Sequence, residues 1–468
     1  MVLALTSLFI LRSAPAQYLG RQQDDLVYII ASHALSHGGY RNFTTPGKPP
    51  LTMMTPGFPA LLLPVTYIFD EWMPAYQIFC ALILAASPWI LWLWLRRKLP
   101  DDATAALAAA LFGTSPLVLS QAGTVMSEGA YAAAAVAFLW AMERSKAKPG
   151  GFLLLLLTQL RPAGLSLAPA ALARPLWERR WKDAAIIVLP AACAMICWFW
   201  WSSRVSSGME KIVELKLFYA GHSWDRLLLV AQDNLRYYLS SWGSCYLPRR
   251  WAEGPAALAA GGALFFLSLI GLGVVLWRNP LDPAPLMLLG AMAMHGVWSW
   301  HYERYLIPML PWLIWSMAVA LGERPRVKLC LLLAAQIVFQ SHQWLGRTSW
   351  SKVELAQTYD WLKSHSSGPD ILSSALYVRD GYYAERPSLP LPDSPQPEVF
   401  AGWLSRWKVK FVIWQDDLDI GLSLENSSAN HQLLDRAGRF LKGDPGRYTL
   451  IYENRREKSR IYALARGV

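Results

Sequence analysis

The chain has 468 residues, 54% of them hydrophobic, with 24 Trp and a formal net charge of +11. Its apolar runs recur at about the 20 residues needed to cross hydrocarbon, which excludes a purely soluble enzyme. The basic residues cluster between those runs, so the charge follows topology and is no nucleic-acid footprint.

Val2–Leu11 opens the chain as an apolar stretch shorter than a full span. It has no small-residue cleavage site, so it is not read as a removed signal peptide; either the true start lies upstream or the helix is abbreviated. Asp24–His37 begins on two acids, which suit a helix N-terminus, and stops at Gly38-Gly39. It and the apolar but short Phe58–Phe69 are expected to lie on the membrane rather than through it. Runs 74–95, 103–121, 126–143, 184–202, 256–277, 283–299, 303–321 and 327–345 are predicted spans. Residues 151–176 are apolar but broken at Arg161-Pro162, which predicts a hairpin with both ends on one side. Trp224–Trp242 mixes Leu, Tyr and Trp with Asp and Arg, the pattern of an interfacial amphipathic helix.

Arg96-Arg97-Lys98, Arg144, Lys146, Lys148, Arg179, Arg180, Lys182, Arg278, Arg324, Arg326 and Lys328 all fall between spans. The positive-inside rule assigns these loops to the cytoplasm. Segments 13–73 and 203–254, the turn near His301, and everything after 346 then face outward.

After Trp350 no run is long enough to span, and the chain reads as α/β. Val353–Ser364 has helical periodicity; Asp370–Ser374, Val409–Trp414, Thr449–Glu453 and Arg460–Leu464 read as strands, and Pro387–Pro397 as a loop. The expected fold class is a polytopic α-helical membrane protein of about 9–11 transmembrane helices plus interfacial helices. Residues 1–346 form its membrane body, with outer loops 13–73 and 203–254, and residues 347–468 form a small soluble α/β domain. From its position, the tail is expected to cover the outer face and help choose the acceptor. Four of the five Cys (Cys80, Cys193, Cys197, Cys330) lie in spans and Cys245 outside; they read as small apolar fillers.

Several outer-side residues could carry chemistry, each beside a plainer reading. Asp24 and Asp25 form an acidic pair or cap their helix. Lys48 meets a phosphate or anchors at headgroups. Glu128 is a second acid or a span cap, and Arg304-Tyr305 a phosphate grip or an interfacial pair. Arg161 sits at the hairpin apex, where it serves the site or snorkels. Arg204, Arg226, Arg236, Arg249 and Arg250 lie outside against the positive-inside trend, and Arg236, followed by Tyr237-Tyr238, is the favoured phosphate contact. His33, His37 and His295 form no metal triad with the acids by spacing; no cofactor is demanded, and a divalent metal ion is left open. Asp416-Asp417-x-Asp419 lacks the glycine and terminal Glu of a calcium loop and reads as a solvated turn.

Asp24-Asp25-Leu26-Val27-Tyr28, Gly38-Gly39 and Lys48-Pro49-Pro50 together resemble the first outer loop of GT-C glycosyltransferases, in particular protein O-mannosyltransferases and lipid A aminoarabinose transferases. Ser127-Glu128 and His301-Tyr302-Glu303-Arg304-Tyr305-Leu306-Ile307-Pro308 resemble their second acid and their late Arg-Tyr-x-x-Pro segment. The resemblance makes Asp24, Asp25 and Glu128 the catalytic acids, with Asp24 the base; the family pair is usually Asp-Glu, and the shorter second acid here is a departure that bears on Asp25, not on Asp24. It implies an inverting transferase of the bacterial inner membrane, its C-terminal domain periplasmic. The donor would be a polyprenyl-phosphate sugar, the acceptor a glycan, lipid or protein hydroxyl. Lys48 and Tyr305 would hold the phosphate and Glu128 would orient substrate or Asp24. The rival is a transporter or flippase of a lipid-linked glycan, which would place ionisable groups at mid-depth in repeated halves; no repeat is visible here, and only Arg161 hints at mid-depth.

Overall fold

The computed structural model describes residues 1–13, 19–22, 24–205, 224–298, 301–322, 324–340, 353–416, 418 and 424–465. Two compact units divide the chain. One comprises Met1–Ala16, Thr52–Leu61 and Phe69–Trp350; the other comprises Gln17–Leu51, Leu62–Ile68 and Ser351–Val468.

The first unit is helical. Met73–Leu95, Trp181–Val205 and Pro255–Arg278 are long and apolar enough to cross a membrane. The other expected spans are shorter because particular residues stop them. Asp102–Gly113 ends before Thr114-Ser115 and a new start at Pro116. The predicted 303–321 span is a 3₁₀ turn, Glu303–Leu306, followed by Leu310–Ala320, with Pro308 between them and Pro311 in the first turn of the helix. Pro283–Gly296 stops at its glycine. The expected hairpin is Ala147–Leu160, a 3₁₀ segment Pro162–Leu167 and Ala168–Trp177. Its break is at Arg161, extended as a residue before proline must be.

At one end of this unit Lys98 bridges Glu143 at 2.8 Å and Asp282 at 3.1 Å, with the Trp94 indole also donating to Glu143. These residues tie the end of Met73–Leu95 to the end of Glu128–Glu143 and the cap of Pro283–Gly296. Glu128 begins the helix that Glu143 ends, about 22 Å away at 1.5 Å per residue.

The second unit holds a sheet ordered β2-β1-β3-β5-β4: β1 Ile371–Ser374, β2 Ser388–Pro390, β3 Val409–Gln415, β4 Tyr448–Asn454 and β5 Ser459–Leu464. β2, β1 and β3 run parallel, and β5 is antiparallel to β3 and β4. Strand alternation sends Val412 and Trp414 to one core with Phe400, Leu404 and Tyr448, and Phe411 and Ile413 to another with Leu355, Tyr359 and Ile461. The sequence reads Pro387–Pro397 as loop and misses β2, a three-residue edge strand where proline is tolerated. It also misses the helices Tyr377–Ala384, Pro397–Arg406 and Leu424–Gly443.

The sequence division at 346 groups segment 13–73 with the helical body, whereas Gln17–Leu51 and Leu62–Ile68 pack with the C-terminal residues. Backbone bonds such as Ser388 N–H to Thr44 O at 2.8 Å are the reason, and hydropathy does not encode them.

Candidate active site

In the helical unit the polar centre is Glu128, the first residue of its helix and fully buried. A carboxylate there suits the positive helix end. Arg161 Nη1 pairs with Glu128 Oε1, and Arg304 Nε lies 3.4 Å from the same oxygen. Neither Glu128 oxygen accepts a hydrogen bond of ordinary geometry among the described residues, so charge holds the trio together. The arginine side chains keep 18% and 12% exposure above a sealed acid. One carboxylate between two guanidiniums leaves a net charge of about +1 on the trio, and Arg161 Nη1 also donates to Ser127 Oγ at 3.4 Å.

Aromatic rings frame the arginines. Arg161 lies over the Tyr305 ring at 5.3 Å, and Arg304 over Tyr302 at 4.6 Å and Tyr305 at 5.9 Å. His295 packs on Tyr305 with ring centroids 5.4 Å apart.

The segment carrying these rings is fastened by Asn234, on the helix Trp224–Ser244 and 1% exposed. Its Nδ2 donates to the carbonyls of His295, Gly296 and Trp298 at 3.1, 2.9 and 2.8 Å. Three acceptors at one nitrogen fix the amide orientation, which turns Oδ1 toward His301 Nδ1 at 2.8 Å. That oxygen can only accept, so His301 Nδ1 carries the hydrogen. Tyr237 stacks against His301 at 4.5 Å.

The second unit holds the acidic pair and Lys48. Asp25 is 1% exposed; Oδ2 accepts from Gly20 N–H and Oδ1 from Leu26 N–H, both at 2.9 Å. Asp24 is half-buried at the helix start. The two acids therefore differ: Asp25 is buried and braces its own loop, and Asp24 is the less buried of the pair. Lys48 sits with φ +46 at the end of the turn Thr45-Pro46-Gly47-Lys48, closed by Lys48 N–H to Thr45 O at 3.0 Å. Its side chain is exposed and makes no ion pair among the described residues.

No protein-family model and no curated protein matches the chain by sequence. Two solved structures share its architecture. An archaeal oligosaccharyltransferase, AglB from Archaeoglobus fulgidus in complex with an inhibitory peptide and a dolichol-phosphate, has a TM-score of 0.57 at 14% identity, covering 99% of this chain and 74% of that one. ArnT from Cupriavidus metallidurans in the apo state has a TM-score of 0.59 at 12% identity, covering 99% of this chain and 97% of that one. The chain has the GT-C fold.

Within this fold, Glu128, Arg304 and Tyr305 come together as a cluster, joined by Arg161. Arg236 does not join them. It is exposed, about 200° around its helix from the buried Asn234, and makes no ion pair among the described residues. The inward face of that helix belongs to Asn234, Tyr238 and Ser241. Asn234, His301 and Tyr302 are missed as site residues by the sequence reading, although the spacing 234, 237, 238, 241 was a helical-face signal. Among the described residues no three His, Cys, Asp or Glu side chains gather as a metal site. Asp416 accepts both contacts of a two-pronged bond from Arg460 Nη1, at 2.9 and 2.7 Å, a structural pair; Asp417 and Asp419 lie outside the described residues.

Proposed function

We propose that this protein is an inverting glycosyltransferase that spans the bacterial inner membrane several times. It takes a sugar from a polyprenyl-phosphate carrier and passes it to a glycan, lipid or protein hydroxyl on the periplasmic face. The observation that carries the reading is the positively charged Glu128–Arg161–Arg304 trio beside Tyr305. A phosphate oxyanion is the group such a trio fits, because guanidinium binds it in two-pronged fashion. The two solved relatives add to this, since one of them was captured with a dolichol-phosphate.

In the proposed reaction Asp24 accepts the proton of the acceptor hydroxyl. The acceptor oxygen bonds to the anomeric carbon from the face opposite the phosphate. The bond from that carbon to the phosphate oxygen breaks, and its electron pair leaves with the lipid phosphate, whose new charge the arginines, Tyr305 and Lys48 meet. Glu128 orients the two arginines. Positive charge aimed at a developing oxyanion is the largest contribution an active site commonly makes.

Sugar transfer in membranes supplied with labelled polyprenyl-phosphate sugars tests this. Asp24→Asn keeps the shape of the side chain and removes the base, so transfer falls by about 100-fold or more at matched expression. Label crossing the bilayer without being transferred would replace the reading with a transporter.

A further inference from the structure

The loop that carries Asp24 is held by residues more than 350 positions later in the chain. Gly20 has φ +93, and a Cβ placed on it would lie 2.5 Å from Leu26 Cδ1 and 2.7 Å from Arg379 Cγ. The turn therefore rests directly on the aliphatic stem of Arg379, and only glycine fits both the backbone and the space. One residue earlier, the Tyr383 hydroxyl donates to Leu19 O at 3.4 Å. Gly20 N–H is in turn the donor to Asp25 Oδ2, one residue past Asp24.

Arg379 is an immobile support. It is 1% exposed, and its Nε donates to Asp380 at 2.9 Å, Nη1 to Glu354 at 2.6 Å and Nη2 to Gln415 at 3.0 Å. Burial, then the Asp25 charge, push the Tyr383 hydroxyl above its ordinary value, with Arg379 acting against them; it stays protonated and can donate. The loop that carries Lys48 hangs on the same unit, since Thr44 O accepts from Ser388 N–H of β2 at 2.8 Å. Arg379 and Tyr383 lie on the helix that follows β1, next to the point where the strand order reverses between β1 and β3. Open α/β sheets commonly hold a ligand at that crevice. Here the Arg379 guanidinium donates to Gln415 at the end of β3, and Gly20 lies against its stem.

We infer that Arg379 and Tyr383 are positioning residues for Asp24, so that the C-terminal α/β unit builds the catalytic centre as well as, or instead of, choosing the acceptor. The inference rests on Asp24 being the base of the proposed reaction. It adds that the geometry of Asp24 is set by Gly20 seated on Arg379 and by Leu19 tied to Tyr383.

Gly20→Ala in the full-length protein changes no functional group and unseats the turn. It should lower kcat by up to about 100-fold, the scale of a 1 Å misplacement, with the donor KM nearly unchanged and some loss of melting temperature from the strained backbone. Tyr383→Phe loses one hydroxyl and should lower kcat a few-fold in the same way. The deciding measurement is Gly20→Ala made in the Asp24→Asn background. An effect transmitted through Asp24 vanishes there, whereas a general folding defect persists in full. Wild-type kcat in both single variants, or a Gly20→Ala loss that persists without Asp24, overturns the inference. Full transfer by Asp24→Asn alone would instead remove the base assignment on which it rests.

Discussion

Two buried arginine clusters, one in each unit, are built on opposite plans. Around Arg379, the guanidinium meets Asp380, Glu354 and Gln415, while Tyr359 donates to Asp380 at 2.6 Å and Gln415 donates to Glu354 at 3.0 Å. Acids outnumber the cation and each nitrogen has a named acceptor. Around Glu128 the ratio is reversed: two arginines share one carboxylate, that carboxylate accepts no hydrogen bond of ordinary geometry among the described residues, and both arginine side chains are partly exposed. A closed network is the economy of a fold, since a half-satisfied buried network is more costly than an apolar core. From this contrast we propose that Arg379 serves stability and Glu128 serves binding.

The largest expected effect tests the first half. Arg379→Met leaves Asp380 and Glu354 buried without their cation, which should cost about 3–5 kcal/mol in unfolding of the α/β unit. Thermal melting followed by limited proteolysis of the C-terminal residues reads it. A variant that melts like wild type would show that the network is no keystone. Glu128→Gln tests the second half. It removes the charge that gathers Arg161 and Arg304 but keeps the helix start. The donor kcat/KM should fall by about 100-fold with little change in melting. If instead Glu128→Gln unfolds the protein and Arg379→Met only slows it, the contrast between the clusters is reversed.

How far the sequence showed this depends on the distance over which each signal acts. The helical body and the α/β tail were legible because hydropathy and strand alternation act over ten to twenty neighbouring residues. Phe411 to Trp414 alternate between two cores as their pattern predicts. Glu128, Arg304 and Tyr305 were legible as short motifs, and the structure gathers them. Arg236 was not, because loop membership says nothing about helix face; a rotation of about 200° separates it from Asn234. The pairing of residues 17–51 with the C-terminal unit was hidden for a different reason. It is made of single hydrogen bonds such as Tyr383 to Leu19 and Ser388 to Thr44, which leave no periodic trace. The shortened helices reflect local breaks at Gly113, Gly296 and Pro308 that an average over a window smooths away.

The smallest effect sharpens the Glu128 side of the contrast by asking what keeps Tyr305 and Arg304 in place. Asn234 is buried and makes four contacts, so His301 is held through Nδ1 alone as far as Asn234 is concerned. An asparagine side chain offers an N–H where histidine has Nδ1. His301→Asn should therefore keep the bond to Asn234 and transfer within about three-fold of wild type, the scale of one neutral hydrogen bond. His301→Phe fills the space against Tyr237 but leaves Asn234 Oδ1 buried with no donor from this side chain, which should cost about ten-fold, mainly in the donor KM. The steady-state constants of the two variants separate the roles. Equal losses in both would mean that the imidazole acts through Nε2 on substrate, and His301 would then move from the frame of the site into its chemistry.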